Sequence, residues 1–296
     1  MRACELPEWP NHAASRFVEA AGLRWHVQRA GVGPPLLLVH GTGASTHSWR
    51  DVLPLLAARY SVIAPDLPGH ACTSAADARR ASLSGMGEGL AALLETLRVD
   101  PVYCVGHSAG AAILSRMALD GRLNPRVIVS LNGAFLPLGG AAAALFAPIA
   151  RLLGGSSLLA HLLARGAGER RAVERLIAST GSRLDARGIA LYAALVREPA
   201  HVAGALAMMG NWDLKSLVRD LPRLAVPLTL VVGGNDRTVP PDQAWVVKRC
   251  VPEATIVTLP GLGHLAHEEA PARTVQVLSE AFNARPSSAA DPRAET

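Results

Sequence analysis

The stretch Val102-Tyr-Cys-Val-Gly-His-Ser-Ala-Gly110 decides how the chain is read. Four β-favouring residues run into the pentapeptide Gly106-His107-Ser108-Ala109-Gly110, and a helix-forming run follows. Strand, tight turn and helix in that order are the setting a G-x-S-x-G nucleophile elbow requires. A serine on so sharp a turn has a strained backbone, and its neighbours at −2 and +2 must lack bulk, which glycine supplies. The helix opening after Ser108 aims free N–H groups at negative charge forming on a substrate. In a chain this rich in Gly and Ala the pentapeptide can arise by chance, so its meaning depends on what flanks it.

Outward from the elbow, short apolar runs alternate with helical patterns. Arg16 to Ala20 and Leu23 to Ala30 flank Ala21-Gly22 and predict an antiparallel hairpin. Pro35 to Val39, Ser61 to Ala64, Arg126 to Leu131, Pro227 to Val232 and Ala254 to Leu259 predict further strands, buried on both faces. Helices are expected over Ser48 to Arg59, Met86 to Leu97, Pro241 to Cys250 and Glu268 to Asn283. This alternation predicts an α/β protein with a mostly parallel, doubly wound, eight-stranded sheet. Residues 134–221 lose the alternation and read as an inserted helical lid, broken at Gly154-Gly155, 166–168, Gly181 and Pro199. The expected division is an extension over 1–15, a core formed by 16–133 and 222–285, the lid between them, and a disordered tail at 286–296.

Composition narrows the partners. The chain has 296 residues, half of them hydrophobic, and a formal net charge of +5. Its cations are nearly all scattered arginines, Lys215 and Lys248 being the lysines, so a nucleic-acid footprint is not expected. Cys4, Cys72, Cys104 and Cys250 show no C-x-x-C spacing and no disulfide rhythm. Free thiols and the lack of an apolar leader predict a cytoplasmic protein. Residues 127–150 are uncharged and long enough for a membrane span, but they begin as a strand and contain Pro137, Gly139-Gly140 and Pro148. An apolar lid with peripheral contact to the inner membrane fits them better than a spanning helix.

The polar motifs fall at strand ends. A serine hydroxyl needs a base, and the base needs an orienting carboxylate, in the chain order serine, acid, histidine on this fold. Asp236 closes Gly233-Gly-Asn-Asp after one strand, and His264 closes Pro260-Gly-Leu-Gly-His after the next. The predicted triad is therefore Ser108, Asp236 and His264. His267 is the competing base, but Glu268 and Glu269 beside it suit a loop-structuring role better. His264, His267 and Glu268 lack the H-E-x-x-H spacing of a metal site, and no metal or cofactor is expected. His40-Gly41-Thr42-Gly43 supplies the oxyanion loop, with the backbone N–H groups of Thr42 and Ala109 as donors. Gly41, Gly43 and His107 are expected to lie against the substrate. A serine at position 108 argues against the carboxylate-nucleophile chemistry of dehalogenases and epoxide hydrolases.

With HG-x-G, D-L-P-G-H, G-H-S-A-G, G-N-D and G-x-G-H all in place, the chain from Arg16 to Ala284 resembles the α/β-hydrolase superfamily. It departs at Ala71, where the superfamily usually has glycine. His40 to Arg50, Gly106 to Ala112, Arg116 to Asp120, Ser130-Leu-Asn-Gly133, Ala205 to Met209 and Trp212-Asp213 are similar to the magnesium-chelatase accessory proteins (BchO type) of bacteriochlorophyll synthesis. That resemblance implies a tetrapyrrole substrate and magnesium-chelatase subunits as partners. Met208, Met209 and Trp212 would then line a wide lid pocket, though packing within the lid explains them equally well. His161 and His201 could then ligate porphyrin-bound magnesium, but a lone histidine in a helix is usually no ligand, and they are not assigned as a metal site. Two functions follow: a cofactor-independent serine hydrolase acting on an ester or related carbonyl, or a non-catalytic binding protein on a hydrolase scaffold. A lyase or transferase built on the same triad is a third.

Overall fold

Apolar residues at alternating strand positions point to opposite faces of a sheet, and here both faces are covered. A computed structural model describes residues 2–75, 77–137 and 170–284. Among them eight strands form one sheet: β1 (Ser15–Ala20), β2 (Leu23–Ala30), β3 (Pro35–Val39), β4 (Ser61–Pro65), β5 (Tyr103–His107), β6 (Val127–Leu131), β7 (Leu228–Gly233) and β8 (Thr255–Leu259). Their order is β1-β2-β4-β3-β5-β6-β7-β8. The pairs β1–β2 and β2–β4 are antiparallel and the rest parallel. The opening hairpin turns at Ala21 and Gly22, both at positive φ (51° and 71°), as a two-residue turn between twisted strands requires.

Leu37 and Val39 face α2 (Leu83–Leu97) and α3 (Ala109–Leu119), in one cluster with Met86, Leu90, Ile113 and Met117. Leu36 and Leu38 face the other way, onto α1 (Val52–Ala57) and the C-terminal helix Pro271–Asn283, in a cluster with Leu53, Leu56, Leu278 and Phe282. Two expected helices are broken. The first is a 3-10 turn at Thr46–Trp49 followed by α1. The last is a short turn at Ala266–Glu269 and then Pro271–Asn283, because Ala270 leaves the helical region (φ −140°, ψ 67°) and proline is placed to start a new helix.

Between β6 and β7 the chain leaves the sheet. The described part holds α4 (Arg170–Ser179), α5 (Ala186–Val196), α6 (Pro199–Gly210) and α7 (Lys215–Asp220). Most of the candidate membrane stretch, His161 and the 286–296 tail lie outside the described residues. No described helix is long and apolar enough to cross a membrane.

One expectation is overturned. Cys4 and Cys72, read as free thiols, form a disulfide with Cα atoms 6.2 Å apart. The N-terminal arm is packed on the loop after β4, where Cys4, Trp9, Ala71 and Cys72 join Leu195 of α5 in a small apolar cluster. No spacing motif announces a pair separated by 68 residues, because packing creates it. Reduction should lower stability by about 4 kcal/mol, since the bond restricts a long loop of the unfolded chain. The measurement is the midpoint of denaturant unfolding with and without reductant, and Cys4→Ala should reproduce the reduced value.

Candidate active site

Parallel pairing brings the carboxyl ends of five strands to one edge. Val39 is level with Gly106, His107 with Leu131, Leu131 with Val231, and Gly233 with Leu259. The chain passes from β3 to β4 on one side and returns to β5 on the other, so the loops after β3 and β5 flank the point where winding reverses. That crevice is where such sheets bind ligands.

Ser108 adopts φ 51°, ψ −117°, a strained conformation for a non-glycine residue. Its turn is tight for a stated reason. A Cβ on Gly106 would lie 2.4 Å from the Ala111 nitrogen, and one on Gly110 2.2 Å from the Val39 carbonyl oxygen. The Ser108 N–H donates to the Leu131 carbonyl at 2.9 Å, which ties the elbow to β6. Gly41 is against it, since a Cβ there would meet Ser108 Cβ at 2.9 Å and His107 Nδ1 at 3.0 Å. Gly43 is needed for its backbone (φ 74°), with open space around it. Among the described residues no hydrogen bond takes up the N–H of Thr42 or of Ala109. These are the two expected oxyanion donors.

Asp236 and His264 meet. His264 Nδ1 is 2.8 Å from Asp236 Oδ2, and both residues are buried. Asp236 Oδ1 accepts from the N–H groups of Thr238 and Val239, which fixes the carboxylate plane. The loop carrying His264 crosses other backbone closely, because a Cβ on Gly263 would fall 2.3 Å from Gly181. The His107 and His264 rings are 4.7 Å apart, so the imidazole is beside the elbow. Ser108 Oγ, by contrast, makes no hydrogen bond among the described residues. The expected acid and base are hydrogen-bonded to each other and the expected base and nucleophile are not, a contact that in unliganded enzymes often closes only with substrate.

The other expected site residues have mixed places. His107 is buried, its Nε2 2.9 Å from the His264 carbonyl oxygen. Met208 is buried, with its sulfur accepting from Thr42 Oγ1 at 3.3 Å, so it touches the oxyanion loop. Met209 is exposed, and Trp212 packs against the main core cluster. His267 has the loop-structuring place expected of it: its Nε2 is 2.8 Å from Ser48 Oγ and its ring 4.8 Å from Trp49.

Three features escaped the sequence reading. His201, on α6, accepts from the Ala71 N–H at its Nδ1 (3.0 Å) and donates from Nε2 to the Gly43 carbonyl (3.1 Å). With both nitrogens used, it has none left for a metal, and it joins α6 to two loops at the crevice. A Cβ on Gly204 would lie 2.0 Å from the Gly69 oxygen, so α6 rests directly on the loop after β4. Ala71, where glycine was expected, does carry a positive φ of 42°. Second, Glu268 is buried and accepts from Ser48 Oγ, Tyr192 of α5 and Arg50. Third, Asn132 bonds to the loops bearing both Asp236 and His264. The overlooked signal was a polar residue closing an apolar strand, as at the other site positions.

Among the described residues one trio of metal-type donors lies within mutual reach, Cys4, His26 and Asp66, within 4.8 Å of one another. Its donors are spent, since Cys4 is in the disulfide and His26 Nδ1 is 2.7 Å from Asp66 Oδ2.

Burial holds the His201 imidazole down at about 4 and that of His267 at about 3. Both folded values lie below the ordinary 6.5, so between them the unfolded chain binds more protons. This stabilisation is complete above about pH 6.5 and is lost as the pH falls through the folded values, each group contributing up to about 1.4 kcal/mol per pH unit. A Tm series from pH 7 to 4.5 should fall steadily. His201→Gln should flatten it.

With this geometry in view, similarity to known proteins takes on meaning. Residues 36–277 match the sequence model described as the alpha/beta hydrolase family. The chain belongs to that family. This alpha/beta hydrolase is 42% identical over 264 residues to the magnesium-chelatase 30 kDa subunit of Rhodobacter capsulatus, covering 88% of this chain and 92% of the relative, and it is of the same family as that subunit. It is 26% identical to the pimeloyl-[acyl-carrier protein] methyl ester esterase of Aeromonas hydrophila, over 85% of this chain and 96% of the esterase. Among solved structures, an alpha/beta hydrolase fold protein from Burkholderia ambifaria superposes with a TM-score of 0.73 at 25% identity, over 90% and 99% of the two chains.

Proposed function

We propose that this alpha/beta hydrolase is a serine hydrolase that cleaves an ester or related carbonyl compound through an acyl-enzyme. The observation that carries the reading is the buried Asp236–His264 bond beside a strained Ser108. In the proposed cycle Ser108 Oγ attacks the carbonyl carbon while its proton passes to His264 Nε2. The N–H groups of Thr42 and Ala109 face the resulting oxyanion. As the intermediate collapses, His264 returns the proton to the leaving alkoxide. A water then gives a proton to His264 and attacks the acyl carbon; as the acid leaves, His264 passes that proton to Ser108 Oγ, restoring both residues. Helices α4 to α7 serve as a cap over the crevice, with α6 held to both loops by His201.

The similarity to a chelatase subunit supports a substrate on the tetrapyrrole path and association with magnesium-chelatase subunits, in the cytoplasm or at the inner membrane surface. The same similarity, with the open Ser108–His264 link, favours a second reading in which the fold binds a magnesium porphyrin without hydrolysing it. A fluorophosphonate probe separates the two. The catalytic reading expects stoichiometric labelling that Ser108→Ala abolishes, and a Ser108→Ala strain that accumulates an ester-bearing pigment intermediate. Absence of labelling, with pigment synthesis unchanged in that strain, would refute it.

A further inference from the structure

The acid and the base stand on two different loops, after β7 and after β8, and something must hold those loops in register. Pairing of β7 with β8 ends at Gly233 and Leu259, before either Asp236 or His264 is reached. Beyond it, Asn235 holds the next stretch, its N–H donating to Leu262 and its Nδ2 to Gly261. Neither bond reaches residue 264; the Thr180 carbonyl, which accepts from the N–H groups of Arg237 (3.1 Å) and His264 (3.3 Å), joins the two loops from the lid side and leaves the His264 carbonyl to other donors.

Asn132, from the end of β6, supplies one of them. Its Oδ1 accepts from the Gly233 N–H at 2.6 Å, and its Nδ2 donates to the carbonyls of Gly263 (3.0 Å) and His264 (2.7 Å). Gly233 is in turn bound to the acid, since its carbonyl accepts from the Asp236 N–H at 3.1 Å. One carboxamide therefore connects the turn that carries the acid to the peptide that carries the base. Both amide hydrogens and the oxygen are used. The backbone of Asn132 is anchored too, at φ 48°, with its N–H on the Val231 carbonyl at 2.8 Å.

These demands select the residue type. Two donors and one acceptor in a buried place suit an amide and not a carboxylate, which would set lone pairs against two carbonyl oxygens. The left-handed backbone favours asparagine among side chains able to do this. With His107 Nε2 as a second donor, the His264 carbonyl is held from two sides. That fixes the peptide plane from which the imidazole projects.

We propose that Asn132 is a positioning residue that sets His264 against Asp236 by bridging their two loops. This rests on the serine-hydrolase reading for its kinetic consequence but not for its structural one. Asn132→Gly keeps the left-handed backbone and removes the bridge. Asn132→Asp keeps shape and the Gly233 acceptor but removes both donors, and it serves if the glycine variant does not fold. Val129→Ala, in the middle of β6, is the control for simple destabilisation. Two readouts are taken on each: the Nδ1–H proton and nitrogen shifts of His264 in 15N-histidine-labelled protein, and the rate of fluorophosphonate labelling across pH.

The expected result is a displaced or broadened His264 Nδ1–H signal and labelling slowed roughly 10-fold to 100-fold in both Asn132 variants, the size of loss that follows a small misplacement of a reacting group. Val129→Ala should lower Tm without either change. Asn132 variants that keep the His264 signal in place and label at the wild-type rate would overturn the proposal. If the wild-type protein does not label at all, the hydrolase reading fails, and the His264 signal still decides the role of Asn132.

Discussion

Asp236→Asn should slow acylation of Ser108 by about three to four orders of magnitude and leave the fold intact. Asp236 Oδ1 accepts from Thr238 and Val239, and an amide oxygen can take its place there. The amide nitrogen then faces His264 Nδ1, where the carboxylate oxygen stood at 2.8 Å. A donor at that point turns the imidazole into the tautomer with its proton on Nε2, which can no longer accept from the serine hydroxyl. The loss is in chemistry and not in binding, so it should appear in the limiting labelling rate and not in the probe concentration giving half that rate. A decrease below tenfold would mean that the Asp236–His264 pair is structural and that another group activates Ser108.

The largest effect on stability is expected at Glu268. Its side chain is fully buried and that of Arg50 is 4% exposed. Tyr192 and Ser48 donate to the same carboxylate, at 2.7 and 2.6 Å. Glu268→Ala leaves the buried guanidinium with only the part-exposed Asp51 carboxylate, at 3.2 Å, as counter-ion, and takes an acceptor from the Tyr192 and Ser48 hydroxyls. The cost of breaking such a pair from one side is about 3–5 kcal/mol. Because Tyr192 is on α5, the same change frees that helix from the core as well as lowering Tm. Replacing both charges, Arg50→Met with Glu268→Leu, should recover much of the stability, since the desolvation of the ions disappears with their attraction. Denaturant midpoints for the two variants decide this. Equal losses in both would show that shape, not charge, holds the cluster.

These two expectations differ in how far the sequence reading could reach them. Ser108, Asp236 and His264 were legible because each follows an apolar strand in an order the fold prescribes, with glycines marking tight turns. Those glycines have the reason expected of them at Gly106 and Gly110, where a Cβ would strike backbone. Ala71 was legible as a departure, and its positive φ explains why glycine is usual there. Glu268 was seen, but only as a neighbour of His267. Its partners Ser48, Arg50 and Tyr192 come from two other parts of the chain, and no local pattern joins them. The lid residues fared in the same way. The resemblance to the chelatase accessory proteins singled out Met208, Met209 and Trp212, yet which of them faces the oxyanion loop depends on how α6 rests on Gly69.

What the sequence determined by itself was the order of elements along the chain: short apolar runs, tight turns and the polar residue closing each strand. These are local properties, set by backbone sterics and by the need to bury apolar faces. Tertiary structure alone decided the Cys4–Cys72 bond, the His201 link from α6 to two loops, and the Asn132 bridge between acid and base. Each joins residues far apart in the chain, and such contacts exist only after the sheet has placed their loops within hydrogen-bonding or bonding distance.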